Sequence, residues 1–409
     1  MGKSQGIMAG PKVPGDRGEG RHMAGSPITN LRFARAWGLL LLVVVGLLCV
    51  HGLVMGSTCV NSVCFAEAEA VPDPIVSEVI KVKLGSRSVT CNVVRVNLRD
   101  PRVRVGVGLG SDRVGATEDL LALARRKGAV AAINGTFFNA YEKGPVKDPV
   151  GTIITRGELV HKGNTGTIFG ITGDKKGMMA PVRFKIVGGT DGSEKWPNNW
   201  YSYFINRAPT SANSVIIYTP WRGMTTGVGD GTSVVVKGGK VTSIGTGDQA
   251  IPDDGYVINF RGSEESLASR FYVGAKVHYR LEIEDGTSAS GIWADVTEGI
   301  GAGPRLVKDG RIVFSVEVAK AEGFTEAKIL SESNARSALG ITESGELLMV
   351  TVPSAKTAEL AEVMKSLGAV DAMNLDGGAS SGLVYRDNYI TRTGRDISNA
   401  LLVFVDEGS

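Results

Sequence analysis

The chain has 409 residues, 43% of them hydrophobic and 21% charged, with a formal net charge of +3. That apolar fraction excludes a wholly disordered chain, and the near-neutral balance excludes a dedicated nucleic-acid binder. The 55 glycines are about 13% of the chain against a usual figure of roughly 7%, and without a collagen period they belong in tight turns of a strand-rich fold.

In chain order, residues 1–36 form a basic N-terminal region with six Lys/Arg and two Asp/Glu. The apolar run Trp37 to Gly56 follows, then small residues ending in Ala68-Glu69-Ala70, an A-x-A cleavage pattern. The run is long enough to span a bilayer, so residues 37–70 read as a signal peptide or as an uncleaved membrane anchor. Met23 is an alternative start that leaves Arg32 and Arg35 ahead of the run. Both readings export the remainder, secreted or anchored to the outer face of the cytoplasmic membrane. Cys49, Cys59 and Cys64 lie in or beside this segment, and only Cys91 lies beyond it. The exported part therefore expects no internal disulfide and no cysteine zinc site. Beyond residue 70, 39 Lys/Arg balance 38 Asp/Glu, which suggests no polyanion or membrane-surface role.

Segment 79–109 alternates apolar and polar and predicts three strands. Thr117 to Lys127 predicts a helix, with Thr117 as N-cap and Gly128 as its stop. Residues 129–133 then read as a buried strand ending in Asn134-Gly135-Thr136-Phe137-Phe138. The same grammar returns later. A helix starting at Ser354 or Thr357 ends at Gly368, and strand 369–373 leads into Asn374-Leu375-Asp376-Gly377-Gly378-Ala379-Ser380-Ser381-Gly382. Gly128–Asn134 and Gly368–Asn374 agree at five of seven positions. This is chance, a shared turn, or two units delivering polar loops to one edge of one sheet, where ligands commonly bind. Between them, Asp174 to Trp200 reads as a long surface loop. Residues 206–284 read as strands throughout, with a hairpin at Gly238-Gly239 and one short helical stretch, Glu264 to Arg270. The expected class is α+β: a mixed β-sheet core flanked by helices, residues 79–205 and 285–406, with an inserted β-rich subdomain at 206–284.

Only His161 and His278 lie beyond residue 70, and His278 alternates with apolar residues as a structural strand residue does. Gly378-Ala379-Ser380-Ser381-Gly382 matches a nucleophile elbow in letters, but no His follows Ser380, and 383–390 reads as strand. What remains is carboxylate, arginine, asparagine and backbone chemistry. Asp376 precedes two glycines whose N–H groups can form an anion nest, with Ser380 and Ser381 as hydroxyl donors; the plainer reading is an Asx-capped turn. Arg336, ahead of a hairpin turning at 343–346, is a phosphate clamp or a surface arginine. Arg395 to Asn399 and the Gly-rich stretch Ile300 to Val307, with Arg305, carry the same two readings.

Taken together, these residues resemble the phosphodiester glycosidases, bacterial exopolysaccharide-associated proteins related to the uncovering enzyme N-acetylglucosamine-1-phosphodiester alpha-N-acetylglucosaminidase. The resemblance runs from about 80 to 405. It rests on Asn134 to Phe138, Gly151 to Ile154, Asn206-Arg207, Tyr218 to Pro220, Ile251 to Tyr256, Gly301 to Pro304, Arg336 to Gly340, Asn374 to Gly378 with Ser380-Ser381, and Arg395 with Asn399. Two departures stand out: Ala379 replaces a usual glycine, and Val352-Pro353-Ser354 replaces an Asp-Gly turn. The resemblance implies an extracytoplasmic hydrolase of sugar-1-phosphodiesters of the N-acetylhexosamine-1-phosphate type in envelope glycan or exopolysaccharide. It implies Asp376 as nucleophile, base or electrostatic stabiliser, Arg336 and Arg395 as phosphate ligands, and Asn134 and Ser380 as hydrogen-bond donors. Asn134, Arg336 and Asp376 form the expected catalytic set, with Gly135, Phe137, Gly377, Gly378, Ser380, Ser381, Arg395, Asn399 and Arg305 binding substrate. Glu158, Asp371 and Asp396 are candidates for a second carboxylate. No cofactor is required. Calcium fits a competing reading as a structural module held by Asp371, Asn374 and Asp376, and a non-catalytic glycan binder is the other competitor. The expected partner is a phosphorylated or phosphodiester-linked glycan, with the membrane added if the N-terminal segment is uncleaved, and no nucleic acid.

Overall fold

The computed structural model describes residues 72–163, 165–284 and 290–406. The basic region, the apolar run, the cleavage pattern and their three cysteines lie outside the described residues. Among the described residues, no helix is long and apolar enough to cross a membrane.

Segment 75–109 forms the three expected strands, Ile75–Leu84, Arg87–Val96 and Val103–Leu109. The first two open a seven-stranded sheet that continues through Leu347–Ala355, Asn334–Thr342, Ala369–Asn374, Arg305–Lys308 and Arg311–Ile312. The third lies at the edge of a five-stranded sheet ordered Asn388–Thr391, Leu383–Tyr385, Ala131–Asn134, Asn399–Val405, Val103–Leu109.

These two sheets face each other, and the strand period of two makes that possible. Along the last strand Leu401 and Val403 join Ile133, Leu339, Met349 and Met373 in a cluster between the sheets. Their neighbours Ala400 and Leu402 pack outward on Leu120, Leu123 and Ala124 of a helix. On the other sheet Ala338, Leu348 and Val350 pack outward under Leu360, Val363 and Met364 of a second helix. Each of these two sheets has two apolar faces with a helix on its outer one, and Phe169, Ile171, Met179 and Ile300 of a further five-stranded sheet, ordered Glu158–His161, Ile153–Thr155, Val296–Ala302, Thr167–Thr172, Gly177–Ala180, join the core between them. The α+β class fits, with helices flanking sheets, while the expected mixed sheet core is instead several sheets paired almost wholly antiparallel. The structure is sheet-rich, 15% helical and 47% strand, and its sheets are antiparallel. Among the described residues, only Phe204–Ile205 and Ser214–Tyr218 pair in parallel.

The first helix spans Leu120–Lys127 and ends at Gly128 with φ 72°. Its cap is Asp119, whose carboxylate accepts from the Ala122 N–H at 2.9 Å, and not Thr117. A bridge between Glu118 and Ile397 keeps the preceding residues extended. The second helix, Thr357–Ser366, starts at the later of the two expected positions because Ser354 still belongs to strand Leu347–Ala355.

Asp174 to Trp200 is not a loop. It holds Gly177–Ala180 and Arg183–Thr190, and the strand Asn199–Ser202 begins within it. Arg183–Thr190 pairs with both Asn199–Ser202 and Val277–Glu284. Gly188 and Gly189, which read as loop punctuation, are strand glycines at close approaches. A Cβ on Gly188 would meet the Trp200 indole at 2.3 Å, and one on Gly189 would meet the Ser193 carbonyl at 2.1 Å. Gly188→Ala should therefore destabilise the fold by about 1–3 kcal/mol through overpacking. An unchanged urea midpoint would contradict this packing account.

The remaining middle strands form a sheet ordered Phe204–Ile205, Ser214–Tyr218, Gly255–Arg261, Thr232–Lys237, Lys240–Thr246. Gly238 and Gly239, at φ 54° and 72°, turn its expected hairpin. Its Ile217, Val234 and Ile258 share a core with Ile154 and Ile168 from neighbouring strands, so it packs as a further layer of the same body. Residues 383–390 form a hairpin and not one strand, turning at Arg386 and Asp387, both with positive φ. His278 is a strand residue, as expected, and faces Glu194 at 3.3 Å.

Candidate active site

The two recurring loops meet, but not at one sheet edge. Asn134 ends a strand of the five-stranded sheet and Asn374 ends a strand of the seven-stranded sheet. The Asp376 N–H donates to the Gly135 carbonyl at 3.1 Å. Asn134 Nδ2 donates to the Asp376 carbonyl at 2.7 Å. Its Oδ1 accepts from Ser337 Oγ at 2.7 Å and from the Gly382 N–H at 3.0 Å. One buried amide thus ties together three chain segments from the two facing sheets.

Above this junction lies a cleft of about 760 Å³. Asp376 is at its floor, with Gly377, Gly378, Ser380, Arg336 and Arg395 around it and Phe137 on the wall. Burial pushes the Asp376 carboxyl up from the ordinary 3.8 to about 6. The neighbouring Ser380 hydroxyl, the Gly377 N–H, Arg395 and Lys328 all oppose that shift. The Gly377 N–H reaches Oδ1 at 2.9 Å. A positive φ of 61° at Gly378 starts a single 3-10 turn, whose bonds come from the N–H groups of Ser380 and Ser381. The N–H groups of Gly378 and Ala379 have no acceptor among the described residues.

Arg336 is 3% exposed. Its Nε donates to the Ala355 carbonyl at 3.0 Å, and its Nη2 to the carbonyls of Lys328 and Glu332 at 2.7 Å each. Its Nη1 has no acceptor among the described residues and lies against the Gly377 turn. Burial lowers its pKa from the usual arginine value. The arginine is therefore a clamp on the cleft wall with one nitrogen open. Arg395 donates to Tyr141 Oη at 2.9 Å, with its guanidinium 4.9 Å from that ring's centre.

Other expected site residues lie behind the cleft. Asn134 is among them, with its amide bonded as above. Gly135 is held by proximity, since a Cβ there would fall 2.0 Å from Asn399 Oδ1. Asn399 is buried, and its Oδ1 accepts from the Thr136 N–H at 3.0 Å. Ser381 is buried with its hydroxyl unpartnered among the described residues. Arg305 pairs with Asp371 at 2.5 Å, and its N–H donates to Glu322 at 3.0 Å. Glu322 immediately precedes the wall segment with Phe324 and Lys328, so Arg305 supports that wall from outside.

None of the three candidate second carboxylates lines the cleft. Glu158 accepts from Trp221 Nε1 at 2.8 Å, Asp371 is held by Arg305, and Asp396 lies outside the lining. Glu142 and Glu326 do line it, and Glu326 pairs with Lys328 at 2.7 Å. The calcium set does not assemble. Asp371 faces Arg305, Asn374 Nδ2 donates to the Gly303 and Leu375 carbonyls, and Asp376 opens to the cleft.

Sequence reasoning missed Tyr141, Phe324 and Lys328. Phe324 stacks against Phe137 with ring centres 5.6 Å apart. Tyr141 lies three residues beyond Asn134-Gly135-Thr136-Phe137-Phe138, near enough for an exposed aromatic to have been noticed. Phe324 and Lys328 carry no local signal. Ala379 has an ordinary φ and places its methyl 3.3 Å from where a Cβ on Gly394 would sit, so the turn accepts alanine. Ala379→Gly should leave kcat/KM within threefold on any substrate the wild type turns over, and a tenfold gain would show that the methyl obstructs the nest.

None of the curated proteins compared with the sequence matches it. A hypothetical protein from Synechocystis has a similar structure, with TM-score 0.71 and 24% identity over 81% of this chain and 62% of its own. This chain thus spans less than two thirds of that protein's length. A protein of Burkholderia pseudomallei K96243 gives TM-score 0.65 and 21% identity over 78% of this chain and 74% of its own. These likenesses show the fold. The zebrafish N-acetylglucosamine-1-phosphodiester alpha-N-acetylglucosaminidase catalytic domain gives TM-score 0.44 and 14% identity, over 82% and 85% of the two chains. The phosphodiester glycosidase family model matches residues 230–404, a span that includes Asp376, Arg336 and Arg395.

Proposed function

We propose that this protein is an extracytoplasmic hydrolase that cleaves the bond between an anomeric carbon and phosphate in a phosphodiester-linked glycan, with an N-acetylhexosamine-1-phosphodiester as the type substrate. The observation that carries this reading is Asp376, a carboxyl shifted to about 6 at the cleft floor with cations on the walls beside it. Phosphate is a good leaving group and departs with the electron pair of the C1–O bond, so little general-acid help is needed. The site must hold the phosphate and stabilise positive charge at C1. Arg336 Nη1, Arg395, Lys328 and the N–H groups of Gly378 and Ala379 are the donors available for the phosphate. Ionised Asp376 faces C1 as nucleophile, as base for the attacking water, or as the charge that stabilises the oxocarbenium-like state. Asn134 acts through Asp376 by fixing its backbone, a positioning role. Export rests on the reading of residues 1–70.

The test is release of reducing sugar by the purified full chain from UDP-N-acetylglucosamine and from aryl phosphodiesters of several hexoses, with and without chelator. Release unaffected by chelator supports the reading. Glycan binding without release from any substrate would replace it with a binding module.

A further inference from the structure

Tyr141 is 85% exposed, yet it is not on a loose loop. The segment carrying it is closed by the Asn139 N–H on the Asp148 carbonyl at 3.0 Å and the Val150 N–H on the Phe137 carbonyl at 2.8 Å. Midway, the Lys147 N–H donates to the Gly115 carbonyl at 2.7 Å. Its base is anchored by the buried Asp148 carboxylate, which takes Arg222 Nη1 at 2.5 Å and the Ala208 N–H at 2.6 Å. The fold therefore holds a large aromatic ring in water at the cleft rim, although burying such a ring is normally favourable. The hydroxyl is engaged by Arg395 at 2.9 Å, which orients the ring. A ring held this way offers its free area to a ligand whose phosphate reaches Arg395.

We propose that Tyr141 is a specificity-determining residue that stacks on the pyranose ring of the substrate, while Arg395 takes the phosphate attached to that ring. The class it selects is hexopyranosyl phosphates, whose axial C–H groups form an apolar face suited to an aromatic ring, over acyclic or nucleoside phosphoesters. This deepens the glycosidase reading and rests on it for the orientation of the sugar. The stacking itself can be measured without turnover.

The experiment compares full-length wild type, Tyr141→Ala and Tyr141→Phe. Calorimetric titration uses N-acetylglucosamine 1-phosphate and inorganic phosphate, and kinetics use UDP-N-acetylglucosamine. The sugar phosphate should bind Tyr141→Ala at least tenfold more weakly and Tyr141→Phe within threefold of wild type, with KM following and kcat within threefold. Inorganic phosphate, with no ring to stack, should bind both variants within threefold of wild type. Equal sugar-phosphate affinity in Tyr141→Ala would overturn the proposal. So would a parallel loss of inorganic phosphate, because Tyr141 would then act only by holding Arg395. Wild type that binds the sugar phosphate through Tyr141 but hydrolyses no phosphodiester would overturn the glycosidase reading and leave the stacking intact. Wild type that binds no pyranosyl phosphate overturns both.

Discussion

Asp376→Asn should lower kcat/KM for a sugar-1-phosphodiester by about 10²–10⁴, the range for losing one positioned acid–base or nucleophilic group. Affinity for the product sugar phosphate should stay within a few-fold, since the cations and N–H donors remain. The wild-type pH profile adds an independent reading. A carboxyl shifted to about 6 that acts in its ionised form makes kcat/KM rise with pH through about 6 to a plateau. A profile that instead falls above about 6 would make Asp376 a general acid. Stability should move oppositely to activity. The folded pKa lies above the ordinary 3.8, so the carboxyl's contribution to stability is fully present below about 3.8 and is lost as pH rises through about 6. Asparagine carries no such charge. Asp376→Asn should therefore be more stable than wild type at pH 8 by about 1–3 kcal/mol, the lower part of that range reflecting a carboxyl open to the cleft. The difference should vanish near pH 4. A variant that is inactive and less stable at pH 8 would point to a structural role for Asp376.

Arg336→Ala should destabilise the protein by about 3–5 kcal/mol, because it leaves three carbonyls of Ala355, Lys328 and Glu332 without their charged donor. Urea unfolding of the purified chain measures this. Arg336→Lys keeps the charge but not the forked geometry and should recover only part of the loss. An unchanged urea midpoint with a large rise in KM would mean that the arginine serves the ligand alone. The contacts predict both effects, so a loss of activity at this position means little without the unfolding curve beside it.

The elements were legible where chemistry repeats locally. Alternation placed the strands of 79–109, and Gly128 and Gly368 ended their helices at positive φ. Asp376, Gly377, Gly378, Ser380, Arg336, Arg395 and Phe137 were picked from composition, from a strand ending in a polar glycine-rich loop, and from a family resemblance. All of them line the cleft. Legibility failed where one residue type serves two purposes. Gly188 and Gly189 read as part of a surface loop because glycine is frequent in loops and turns, yet here they admit Trp200 and Ser193 against a strand backbone. Asn134 read as a ligand donor, yet its amide holds Asp376, Ser337 and Gly382 together.

By itself the sequence determined the strand-rich character, the two helix–strand units, the loops that carry the candidate carboxylate and arginines, and the family those loops resemble, since each follows from spacing, turn chemistry or motif order along the chain. Only the tertiary structure decided that these units lie in two facing sheets, that Arg305, Asn399 and Asn134 stand behind the cleft, and that Tyr141, Phe324 and Lys328 stand on it. Sheet order and loop convergence join residues hundreds of positions apart, and such pairings are set by which apolar faces cover one another.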